Sequence, residues 1–222
     1  TMAEVLGVGL THYPLLAGKD THMASLLKST LKDPDIPADR KDPSAWPPLA
    51  KTEWGDDEGV SAATEHRAVL MDNLLRCRKA IDEFAPDVLI VWGDDQYENF
   101  REEVIPSFCV LAYEDTEVEP FGVLDMIKVP NYWDLPGDTS FTMRGDPDYA
   151  KKAAAEVLGS GIDVAYSYQQ RKGIHFPHAF GNTQLFLDFD NVGAEFPYPI
   201  VPMAVNCYGE HVIARKGGIA RF

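Results

Sequence analysis

Two periods of apolar and polar positions alternate along this chain. Val5-Leu-Gly-Val-Gly-Leu10 and Val88-Leu-Ile-Val-Trp92 are short continuous apolar runs. Runs of this kind fill parallel strands that are buried on both faces. Each empties into polar residues, the first into Thr11-His12-Tyr13-Pro14 and the second, past Gly93, into Asp94-Asp95-Gln96-Tyr97. Ile105 to Tyr113, Asp163 to Tyr168 and Ile200 to Val205 read as further strands. Pro106 sits at the entry of the first of these, where a missing ladder donor does least harm. Elsewhere the period is helical. Ser61 caps a helix running to about Phe84, with an apolar stripe of Leu70, Leu74, Cys77, Ile81 and Phe84. Asp146-Pro147 opens another, Asp148 to Leu158, closed by Gly159 and Gly161.

The resulting order, β-α-β-β-α-β-β, predicts one α/β domain over residues 1–222, with a mostly parallel central sheet flanked by helices. A long loop-rich insertion, Leu15 to Val60, follows the first strand. It holds a short helix, Thr21 to Leu31, and then Asp33-Pro34, Asp42-Pro43 and Trp46-Pro47-Pro48, which forbid a continuous one. A connection of this length acts as a lid, a binding loop or an interface arm, and Trp46 and Trp54 give it something to bury.

Ligands of open α/β sheets bind outside the carboxyl ends of the strands, so His12 and Gln96 are expected to share a crevice. Stepping the stripe of the long helix back one turn from Leu70 reaches His66. A crossover helix runs antiparallel to its strands, which would bring His66 to the same edge. The alternative is a helix-start histidine bonded to a carbonyl, or to Asp56 or Asp57. Gly173-Ile-His-Phe-Pro-His-Ala-Phe-Gly-Asn182 follows a strand and a basic turn. In that loop His175 and His178 are candidate acid/base groups, or surface histidines of a packed aromatic loop.

Composition narrows the classes. The net charge of −15 argues against nucleic acid or an anionic membrane as partner. No apolar stretch approaches the roughly 20 residues that span a bilayer, and no leader is expected. Cys77, Cys109 and Cys207 lack metal-type spacing and read as thiols of a reducing compartment, so a cytoplasmic location is expected. There is no HxxxH pair, phosphate loop, nucleophile elbow or dinucleotide fingerprint.

These segments together resemble one family. Gly9-Leu-Thr-His12-Tyr-Pro14, Pro86-Asp-Val-Leu-Ile-Val-Trp-Gly-Asp-Asp-Gln96, Ile105-Pro-Ser-Phe-Cys-Val-Leu111, His178-Ala-Phe-Gly-Asn182 and Ile200-Val-Pro-Met-Ala-Val-Asn206 occur in the family's order. The chain resembles class III extradiol ring-cleavage dioxygenases, of the protocatechuate 4,5-dioxygenase catalytic β-subunit type. The resemblance implies a cofactor Fe(II), or another divalent metal, with His12 as a ligand. It implies His178, with His175 beside it, as the proton-transfer group. Tyr13, Asp95 and Tyr97 would contact the substrate, and the partners would be a small aromatic compound and dioxygen, with a homo-oligomer expected. Two departures stand out. Gln96 occupies the place of a histidine that the resemblance makes a second ligand, leaving His66 or Gln96 to supply it. The family also continues further beyond the last strand, where it carries a catalytic histidine and a glutamate ligand; only Glu210 and His211 lie nearby here.

The reading is therefore an Fe(II)-dependent oxygenase opening a catechol-like ring. The alternatives are a non-catalytic subunit or binding module on the same fold, and a divalent metal used for non-oxidative chemistry.

Overall fold

The computed structural model describes residues 3–207. Four helices precede the first strand: α1 (Ser25–Thr30), α2 (Ala38–Lys41), α3 (Pro48–Trp54) and the long α4 (Val60–Phe84). Then follow β1 (Leu89–Asp95), β2 (Phe108–Leu111), β3 (Thr116–Val118), α5 (Gly122–Ile127) and β4 (Phe141–Met143). The described part closes with α6 (Pro147–Gly159), β5 (Ala165–Ser167), α7 (His178–Leu187) and β6 (Ile200–Asn206). The central sheet has the order β1-β6-β2-β5; β1 with β6 and β2 with β5 are parallel, whereas β2 and β6 are antiparallel. β3 and β4 form a separate antiparallel pair. The fold is the expected α/β domain with a mostly parallel sheet and helices on its faces. Among the described residues no helix is long and apolar enough to cross a membrane.

The α4 stripe packs as its spacing requires. Leu74 and Ile81 are buried, and Leu70 and Cys77 lean on the same core. One turn earlier the stripe continues through Arg67 and Ala63, three and seven residues before Leu70, and not through His66. At about 100° per residue, His66 is rotated off the buried face. Arg67 is 5 % exposed. Its guanidinium donates to Asp20, to the Leu16 carbonyl at 2.5 Å and to the Gly18 carbonyl at 2.6 Å. These bonds pin the turn Pro14–Ala17 that follows His12, of which Leu15, Leu16 and Ala17 are buried.

On the far face, the Asp146 side chain accepts from the Tyr149 amide at 2.9 Å and starts α6, as expected of Asp-Pro at a helix N-terminus. Ala150 and Ala154 then pack on Val110, Val201 and Met203.

Two expectations fail. Residues 5–10 form no strand, and Val5 is 88 % exposed. Gly7 and Gly9 sit at alternate positions and meet nothing within 4 Å, so one side of a strand here has no side chain to pack. Secondly, β1 is an edge strand, buried on one face only. Gly93 abuts Phe180 and Ala179 of α7, whereas Ile90 and Trp92 on the opposite face stay exposed.

Candidate metal centre

Three side chains converge beyond the end of β1. His12, Asp94 and His178 each offer a ligand atom, all within 4.8 Å of one another, and they form the one such cluster among the described residues. His12 arrives on the extended segment before the Pro14–Ala17 turn, with its carbonyl held by Asn182 Nδ2 at 3.0 Å. Asp94 comes from the last turn of the pleat in β1, and His178 is the first residue of α7. The two imidazoles are tilted, with ring centroids 5.2 Å apart.

The two oxygens of Asp94 stand in different settings. Its Oδ1 lies 3.0 Å from His12 Nε2, yet this buried oxygen makes no hydrogen bond. Neighbouring ligand atoms on an ion with bonds of roughly 2.0–2.2 Å stand about 3 Å apart when the bonds are at right angles. Its Oδ2 accepts from Gln96 Nε2 at 2.5 Å and from the Cys207 thiol at 3.3 Å. Burial opposes ionisation of Asp94, but those hydrogen bonds and the charges of His12 and His178 prevail and hold the carboxyl below its usual range. Burial also opposes the charged form of His178. The Glu98 hydrogen bond and charge, with Asp94 and Asp95 behind them, outweigh it and raise the imidazole above its ordinary value. An anionic carboxylate and two imidazoles are the donor set that suits a non-haem Fe(II) ion. The residues present fit the metal implied by the resemblance.

Beside the cluster lies a cavity of about 670 Å³, a size typical of small-molecule sites. His12, Tyr13, Gln96, Tyr97, His175 and His178 line it, and Val118, Ile127 and Phe176 supply apolar wall. His175 stands at 3.6 Å from Glu119. The Tyr13 hydroxyl donates to the Met23 carbonyl at 2.7 Å. Arg101 contributes a guanidinium to the same wall.

Several expected site residues lie elsewhere. His66 has a side chain 55 % exposed, pairs with Glu53 at 3.4 Å and lines a neighbouring cavity of about 600 Å³ with Trp46 and Trp54. It is not part of the cluster, for the helical reason given above. Asp95 is fully buried and accepts the amides of Glu98, Asn99 and Phe100 at 3.2, 3.0 and 3.3 Å, so it shapes the turn and does not line the cavity. Gln96 lines the cavity but spends its amide on Asp94. His178 begins a helix and is not in a loop. Glu210 and His211 lie outside the described residues. Asp94, Glu98 and Arg101 are the site residues that sequence reasoning passed over. For Asp94 a signal existed, since successive strand side chains point to opposite faces and only one of Asp94 and Asp95 can enter a given crevice.

No family model matches the chain. Curated relatives do. The chain is 31% identical over 131 residues to 2,3-dihydroxyphenylpropionate/2,3-dihydroxicinnamic acid 1,2-dioxygenase 2 of Pseudomonas putida, covering 59% of this chain and 34% of that protein. It is 30% identical over 133 residues to the like-named dioxygenase of Rhodococcus jostii strain RHA1, covering 60% and 35%. Over 153 residues it is 28% identical to that of Rhodococcus sp, covering 69% and 38%. These relatives are extradiol-type dioxygenases. The likeness reaches that broad class and not the protocatechuate subtype. The matched part of the chain spans about a third of the length of these relatives.

Proposed function

We propose that the chain carries the metal-binding part of an extradiol-type dioxygenase that opens a catechol-like ring, with Fe(II) held by His12, Asp94 and His178. The observation that carries this reading is the buried Asp94 Oδ1, unbonded and 3.0 Å from His12 Nε2. Two imidazoles and a carboxylate converging on one point favour an ion over a metal-free binding module. When bound, the iron supplies the site at which diol oxygens and dioxygen meet. The chain's own residues do the rest. Val118, Ile127 and Phe176 enclose the aromatic ring and exclude water. Arg101 lines the cavity and suits a carboxylate, a group that the relatives' names give to their substrates. With His178 committed as a ligand, His175 is the histidine left on the cavity wall to carry a proton.

The two histidines therefore separate experimentally. His175→Ala is expected to lower turnover by roughly 10²–10⁴-fold with metal content intact. His178→Ala is expected to lose the metal. Turnover and iron content measured on both variants test the assignment, and the reverse pattern would overturn it.

A further inference from the structure

We propose that Glu98 is a positioning residue that makes His178 a metal ligand, with Gln96 doing the same for Asp94. On this view the turn after β1 is a rewired cradle, and Gln96 is not the remnant of a lost histidine ligand. The inference rests on the metal-centre reading above.

Glu98 Oε1 accepts from His178 twice, from the backbone amide at 2.9 Å and from ring Nδ1 at 2.8 Å. A carboxylate offers no proton, so Nδ1 must carry one, and the ring lone pair is left on Nε2. Metal-binding histidines commonly hand their second ring N–H to such a group, which fixes both tautomer and ring orientation. The turn that holds Glu98 is itself over-determined. Asp95 gathers three successive amides, one of them that of Glu98, and Tyr97 is forced to a φ of +61°. A tyrosine persists in the left-handed region only where its surroundings hold it there, and such positions gather at functional sites. The other Glu98 oxygen, Oε2, is buried without a hydrogen bond, so the carboxylate gives up solvation to stand where it does. Gln96 completes the device. Its Nε2 engages Asp94 Oδ2 and leaves Oδ1 directed at His12. One turn, Asp94 to Glu98, thus supplies a ligand and a partner for each of two ligands.

A merely structural role exists for Glu98, as an anion at the start of α7. It predicts lower stability and an unchanged site, which gives the test its contrast. In the metal-free wild-type protein, ¹H–¹⁵N spectra recorded at a pH where the ring itself is observed in its neutral form should show His178 as the Nδ1–H tautomer. An Nε2–H tautomer there overturns the proposal without any variant. Glu98→Ala should weaken Co(II) or Fe(II) binding roughly 10–100-fold, measured where the variant is folded. Glu98→Gln, whose amide oxygen still accepts both bonds, should keep the tautomer and stay closer to the wild type. Unchanged affinity in Glu98→Ala, with binding lost in His12→Ala, overturns the role of Glu98 and leaves the metal centre standing. Folded wild-type protein that binds no ion overturns both.

Discussion

Replacing Asp94 with alanine is expected to weaken divalent-ion binding by more than about 100-fold while the fold survives. Partners one step removed from a metal typically change its affinity 10–100-fold, and on the proposed reading Asp94 would itself be a ligand. It is the single carboxylate of the cluster, held ionised despite its burial. Its loss leaves only two imidazoles, a set that binds a hard divalent ion far less well than one that includes an anion. The structural cost is small, because Gln96 and Cys207, which donate to it, are both exposed and can turn to water. Anaerobic calorimetric titration of wild type and variant with Fe(II), beside urea unfolding of both, reads the two effects apart. Affinity within about threefold of the wild type would remove Asp94 from the site.

The largest stability effect is expected at Arg67. Arg67→Ala should cost roughly 3–5 kcal/mol, the range seen when one partner of a buried ion pair is removed. Its guanidinium satisfies Asp20 and two main-chain carbonyls at once, and it stacks 4.7 Å from the centre of the Tyr132 ring. Alanine strands all three acceptors. Arg67→Lys should rescue little, since a single ammonium cannot span three acceptors set for a planar fork. Denaturant unfolding measures both variants. Because the pinned turn follows His12, metal affinity should fall along with stability. A loss below about 1 kcal/mol would show that water replaces the guanidinium.

Much of the scaffold was legible from period and from one cap, Asp146; the expected cap Ser61 fails, since α4 starts at Val60 after a left-handed Gly59 with no side-chain cap. The three- and four-residue steps from Leu70 to Ile81, the Asp146-Pro147 helix start and the Ile200–Val205 run all appear where their patterns place them. What stayed hidden has physical causes. A stripe can step back from Leu70 by three or by four; Arg67 is charged and His66 only polar, so hydropathy pointed to His66. The fork of Arg67 reverses that preference, and no sequence rule shows which carbonyls wait for it. The helix α7 has no solvent-exposed face, since Ala179 to Leu187 are all buried, Asn182, Thr183 and Gln184 included, and so it carries no amphipathic period to read. The run Val5–Leu10 has strand composition but no ladder partner, and pairing is a property of the neighbours. The carboxyl-edge rule puts His12 and Gln96 in one crevice, and both line the same cavity, although no strand leads into His12. Alternation along β1 allowed Asp94 or Asp95 into it, and only the three amides that claim Asp95 decide between them.

On the proposed reading, His12, Asp94 and His178 hold iron for the opening of a diol-bearing ring. Oxygen uptake by anaerobically Fe(II)-loaded protein, recorded with 2,3-dihydroxyphenylpropionate while the ring-opened product is followed by absorbance, tests it most directly. The account predicts one dioxygen consumed per ring opened, and none in Asp94→Ala. Iron-loaded wild type that consumes no oxygen with the diol, or an Asp94→Ala variant that matches the wild type, would contradict it.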